Sequence, residues 1–163
     1  MQVAAVRQEL FVSYAHQDAA IQSDLLRRLR PLFAASAGSQ IVTWTDGQLL
    51  AGTRWRDEIF GKIDACAAAL PLLSPAFLGS AFVKSEELPR LAAHPKPLVP
   101  VLLKPIHFVR HDLCGLDPLQ IFGLRDRQHR LIAYGECTTS MQKDRFALDL
   151  FAQIEVRLGV AHP

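Results

Sequence analysis

Apolar positions along the chain alternate between runs with strand character and stretches with helical spacing. Glu9-Leu-Phe-Val-Ser-Tyr14 is a short β-favouring run, and His16-Gln-Asp18 follows it, with Asp18 placed to cap the next helix. Across residues 19–33, Ile21, Leu25, Leu26, Leu29, Leu32 and Phe33 recur at three- and four-residue steps, which predicts a helix with one buried face. Residues 40–44 form a second β-rich run, and the glycine-containing stretch 45–53 is a turn-forming loop. Helix resumes near Arg54, with Trp55, Ile59 and Ile63 on one face, so Trp55 is expected in the core.

The alternation continues. Residues 68–73 read as a buried strand in which Pro71 is awkward, because a central strand needs every backbone donor. A loop over 74–80 leads to a short helix capped by Ser85 and ending near Ala93, with Pro89 tolerated only in its first turn. Residues 98–103 form a fourth apolar strand; 104–134 is irregular apart from a short strand near Leu131, and the last helix spans about 142–158. Strands alternating with helices imply parallel pairing through right-handed crossovers. The expected architecture is an α/β, flavodoxin-like, doubly wound five-stranded parallel sheet of order 2-1-3-4-5, in one domain over 1–163 with its core at about 9–158. Ligands of such sheets lie beyond the carboxyl ends of the strands, which directs attention to the loops after Tyr14, Trp44, Leu73 and Leu103.

Composition narrows the classes. Lys and Arg number 18 against 16 Asp and Glu, too even a balance to draw the chain to nucleic acid. Arg27, Arg28 and Arg30 read as a solvated helix face. Cys66, Cys114 and Cys137 are odd in number and widely spaced, which suggests neither disulfides nor zinc and fits a reducing cytoplasm. No window approaches a membrane span or an export signal. The scattered histidines lack metal-ligand spacing, and P-loop, dinucleotide-fold and nucleophile-elbow motifs are absent.

Several ordered blocks carry a resemblance. Leu10-Phe-Val-Ser-Tyr-Ala-His-Gln-Asp18, Val42-Thr-Trp-Thr-Asp46 through Gly52-Thr-Arg-Trp55, and Leu72-Leu-Ser-Pro-Ala-Phe-Leu-Gly-Ser80 followed by Phe82 and Glu86-Glu-Leu-Pro89 resemble the TIR domain family. Pro100-Val-Leu-Leu-Lys-Pro105 and Leu116-Asp-Pro-Leu-Gln120 are similar to its bacterial form. The resemblance implies a cytoplasmic NAD⁺ hydrolase that cleaves the nicotinamide–ribose bond and is activated by self-assembly of copies, up to filaments, in antiviral defence by NAD⁺ depletion. NAD⁺ is then a substrate, with no resident cofactor or metal. The alternative is a non-catalytic adaptor using the same surfaces for TIR–TIR contact. A short chain with no visible sensor reads as one module of a larger protein, activated by a fused sensor domain or a partner.

The enzyme reading requires one glutamate from the block around Glu86 and Glu87. Glu86 stands four residues beyond Phe82, whereas Glu87 directly precedes Leu88-Pro89. At about 100° per residue, Glu87 projects near the apolar face of Leu88 and Leu91, and Glu86 points roughly opposite. Either could instead be a first-turn carboxylate favouring the positive end of a helix. For substrate binding the resemblance implies Ser13, Tyr14, Ala15, Asp46, Gly52, Ser74 and Phe82. Phe82, where relatives often carry Trp, suits ring stacking or core filling. Asp46 and Gly52 lie in a loop that would open to substrate and dock on a neighbour, or simply turn the chain.

Overall fold

The computed structural model describes residues 4–46, 54–93 and 96–160. β1 (Val6–Ser13), β2 (Ser39–Trp44), β3 (Ala68–Leu73) and β4 (Val101–Leu102) form a parallel sheet of order β2-β1-β3-β4. Along β1 the side chains alternate between the two faces. Leu10 and Val12 join the core beneath α1 (Ala19–Ala34) and α5 (Ser140–Leu158), while Phe11 enters the core beneath α2 (Trp55–Ala65), α3 (Pro75–Leu78) and α4 (Leu88–Ala93). β3, covered on both faces, is buried at every position, as its unbroken apolar run requires.

The expected parallel sheet is present with four strands, and a fifth is not found among the described residues. At its place beside β4 there is one bridge, Val101 to Phe122, in which Leu102 N–H donates to the Phe122 carbonyl at 2.8 Å. The short strand foreseen near Leu131 exists as β6 (Leu131–Ile132), but it pairs antiparallel with β5 (Leu124–Arg125) in a separate ribbon. β4 is also shorter than its apolar run, and Pro71 supplies the reason. Ala69 directs both N–H and C=O toward the β4 side, to Pro97 and Val99. With the two-residue period of a strand, Pro71 faces that side too and has no hydrogen to donate. The ladder breaks there, between the single bridge at Leu98 and the start of β4 at Val101.

The irregular stretch before α5 holds the largest fully buried side chain, Tyr134. Its ring meets Phe146 edge-on at 5.2 Å. Its hydroxyl donates to Asp24 and accepts from Arg28 Nε at 3.1 Å, and Arg28 continues to Asp144 at 2.5 Å. Arg28 is therefore a tie between α1 and α5 and not part of a solvated face, whereas Arg27 and Arg30 are exposed. The Tyr134 hydrogen bond, joined by Arg27, Arg28 and Lys143, holds the Asp24 carboxyl down at about 2. Among the described residues no helix is long and apolar enough to cross a membrane.

Tyr134→Phe should cost about 1–3 kcal/mol in urea unfolding at pH 7, the range for losing a buried hydrogen bond to charged partners. Because the bond favours the ionised Asp24, its contribution is present above the ordinary value of 3.8 and fades as pH falls toward about 2. The gap between variant and wild type should close over that window.

Candidate functional site

At the carboxyl edge of the sheet, where β1 and β3 release their loops, lies a cleft of about 610 Å³. Tyr14, Ala15, His16 and Gln17 form one wall, Asp46 stands at the exit of β2, and Trp55 and Ile59 come from α2. Ala76, Gly79, Ser80, Phe82, Val83 and Glu87 close the opposite side.

Glu87 reaches this cleft through an irregular helix. Residues 81–93 are helical, but Val83–Glu87 is a π turn, in which Leu88 N–H donates to the Val83 carbonyl five residues back. The start expected at Ser85 is corrected. Ser80 Oγ accepts from Val83 N–H at 3.3 Å, and the Ser85 hydroxyl donates back to the Ala81 carbonyl at 2.6 Å, as a mid-helix serine does. The wide turn also accommodates Pro89, which has no N–H to give.

The π turn decides which glutamate enters the cleft. In an α-helix the residue four beyond Phe82 would share its face, and that residue is Glu86. One extra residue in the turn hands that place to Glu87. Phe82 and Glu87 accordingly line the same cleft, with Glu87 only 7% exposed. Glu86 lies outside it and pairs with Arg56 at 3.0 Å.

Ser13, the last residue of β1, donates its hydroxyl to Glu87 Oε2. Burial nevertheless pushes the Glu87 carboxyl up to about 7; the Ser13 bond and His16 oppose the rise, and Asp46 adds to it. Asp46 receives the Tyr14 hydroxyl and pairs with His16 Nε2 at 2.7 Å. Burial first, and the Asp46 carboxylate second, push Tyr14 up to about 12, so it remains a donor.

Several expectations meet a different geometry. Ser74 is fully buried below the cleft: its hydroxyl donates to Asp18, accepts from Phe77 N–H at 3.0 Å and caps α3. It has no open route to a ligand. Asp18, expected to cap α1, makes no side-chain cap bond and turns to Ser74 and to Lys104 Nζ, 2.5 Å away. Trp55, expected in the core, is 50% exposed and meets Phe82 at a 5.1 Å ring separation, so the two form a continuous aromatic wall. The apolar spacing that Trp55 shares with Ile59 and Ile63 marks buried positions at those two alone. Gly52 lies outside the described residues.

The lining residues outside the expected site are His16, Gln17, Trp55, Ile59, Ala76, Gly79, Ser80 and Val83, and apart from the imidazole of His16 they carry no chemical signal in the sequence. Among the described residues no group of His, Cys, Asp and Glu side chains is arranged to hold a metal ion. The cleft instead offers a buried carboxylate at its floor, an aromatic wall and a Tyr–Asp–His cluster at its mouth. That combination suits a flat, partly apolar ligand with a hydroxylated or cationic centre near Glu87.

Two outcomes follow from this geometry. Folding raises the Glu87 carboxyl from 4.5 to about 7, so its contribution to stability is fully present below 4.5 and is lost as pH rises through about 7. The Tm of the wild type should therefore drop relative to Glu87→Gln between pH 5 and pH 8. Deleting Ser85 should relax the π turn to α-helix and bring Glu87 to the fourth position after Phe82. The deletion should leave Glu87 in the cleft, as a retained carboxyl titration near 7 by NMR would register.

Comparison with curated proteins finds no match. The family model for the TIR domain matches residues 10–133, a span running from β1 to the end of the β5–β6 ribbon and containing every described element of the cleft. With that span matched and the parallel sheet ordered as described, the chain belongs to the TIR domain family.

Proposed function

We propose that the protein is an NAD⁺ hydrolase that cleaves the bond between nicotinamide and ribose, with NAD⁺ as substrate and no resident cofactor. The TIR family includes NAD⁺-cleaving members. The observation that carries the reading for this chain is the Glu87 carboxyl, buried at the floor of a cleft and held by the Ser13 hydroxyl. A contact surface used only for scaffolding has no need of an ionisable group held where ionisation is costly.

Departure of nicotinamide leaves positive charge on the ribosyl carbon and its ring oxygen. A carboxylate beside that carbon stabilises the developing charge and accepts hydrogen bonds from the ribose hydroxyls. Glu87 takes this part. Ser13 fixes its orientation, and the low-polarity surroundings that raise its pKa also strengthen its pull on a cationic centre. Water then adds its oxygen to the ribosyl carbon, giving ADP-ribose and nicotinamide and releasing one proton. Trp55 and Phe82 present a wall on which a nicotinamide or adenine ring can lie. Tyr14, Ala15 and Asp46 contribute the facing edge of the cleft.

TIR domains generally self-associate. In the proposed setting, assembly of copies driven by a sensor domain or partner switches the hydrolase on, and NAD⁺ depletion limits viral infection of the cell. Assembly would act on the mouth of the cleft, at Asp46.

Glu87→Gln should lower nicotinamide release by at least about 100-fold, the scale of losing one electrostatic stabiliser of a transition state, with the elution profile of the protein unchanged. Glu86→Gln should retain activity within about threefold, because its partner Arg56 lies outside the cleft. Since the working form is the carboxylate, kcat/KM should rise with pH through about 7. Assays belong at high protein concentration with a crowding agent; absence of release under every assembled condition would instead favour an adaptor.

A further inference from the structure

The charges in the cleft do not match the proposed substrate as they stand. Asp46 and Glu87 are both acidic, and no Lys or Arg is among the described residues that line it. A dinucleotide substrate brings a diphosphate, whose negative charges would face two carboxylates. Of the cations on neighbouring elements, Arg56 pairs with Glu86 at 3.0 Å, Lys104 pairs with Asp18 at 2.5 Å, and Arg54, next to Trp55, is exposed and is not among the lining residues. The Tyr14 hydroxyl is given to Asp46. Gln17 and Ser80 are uncharged.

His16 is the one side chain among the described lining residues that can carry positive charge. Its Nε2 meets Asp46 Oδ2 at 2.7 Å, its ring lies 6.0 Å from that of Tyr14, and the side chain is 82% exposed at the mouth. It is close enough to Glu87 for its charge to be felt there. One nitrogen is therefore anchored on a side chain that is largely exposed. The anchor is fixed at the exit of β2, so the ring need not be ordered when ligand arrives.

Resting on the hydrolase reading, we infer that His16 is the diphosphate contact of the cleft. Bridging the two, it donates Nε2–H to Asp46 and Nδ1–H to a phosphate oxygen, so a carboxylate that would repel the ligand becomes part of its receptor. Asp46 is then a positioning residue acting through His16. This places the ribose between Glu87 at the floor and His16 at the rim, with the adenosine half directed outward. The selectivity that follows is for the diphosphate-bearing dinucleotide over a phosphate-free nicotinamide nucleoside.

The test separates this inference from the activity. Binding of ADP-ribose, which has the diphosphate but no pyridinium, and of nicotinamide riboside, which has the pyridinium but no phosphate, is measured by calorimetry on wild type, His16→Ala and His16→Arg. The expected result is at least a tenfold drop in the ratio of ADP-ribose to nicotinamide riboside affinity in His16→Ala, restored in His16→Arg. An unchanged ratio, or no ADP-ribose binding by the wild type, overturns the inference. Nicotinamide release from NAD⁺ by the wild type, run alongside, judges the hydrolase reading on its own.

Discussion

The hydroxyl of Ser13 bonded to the buried carboxyl of Glu87 joins the end of the sheet's central strand to the middle of a helix 74 residues further along the chain. Both partners must be brought to the same depth for that bond to form. β1 does so because its register with β2 and β3 ends at the sheet's carboxyl edge. The helix does so because Val83, Leu88 and Leu91 are buried on the same side of the sheet as Phe11 and Phe77. The cleft is the space left between these two constraints, and its walls are the residues that follow each strand.

The same bond shows how a folded domain can tolerate an unfavourable group. Burying Glu87 opposes its ionisation, and Ser13 compensates in part. The remainder is borne by the two hydrophobic layers, which share the apolar residues of β3 and enclose the sheet from both sides. Tyr134 and its ionic partners clamp α1 to α5 on the far face, so the layer opposite the cleft is held by polar as well as apolar contacts.

Much of the fold was legible because its signals are periodic. The 3.6-residue spacing of Leu25, Leu26, Leu29 and Phe33 and the unbroken run through β3 leave few other arrangements. What was illegible depends on geometry with no period. The shortened β4 follows from a ladder interrupted at Pro71, and beyond β4 the described residues give one bridge at Phe122 in place of a fifth strand. Of the candidate site residues, Glu87, Tyr14, Ala15, Asp46 and Phe82 come together at the cleft, and Ser13 reaches it through Glu87. Ser74 does not, since a serine before a short Pro-started helix is used as its cap. Trp55 departs from its expected burial because helical spacing tells which face a residue occupies, not whether that face is covered at the first residue of the helix. Asp18 shows the converse: a residue type suited to capping found stronger partners in Lys104 and Ser74.

The π turn at Val83–Glu87 has a wider consequence for how such domains diverge. A helix that can absorb an inserted residue as a local bulge lets the spacing between an aromatic and an acid drift by one while their positions in space stay put. Chains of this kind can therefore exchange which of two adjacent carboxylates occupies the pocket through a single-codon insertion or deletion. Position along the chain and position in the pocket are thereby uncoupled by one residue, so that Glu86 and Glu87, adjacent in sequence, lie one outside the cleft and one within it.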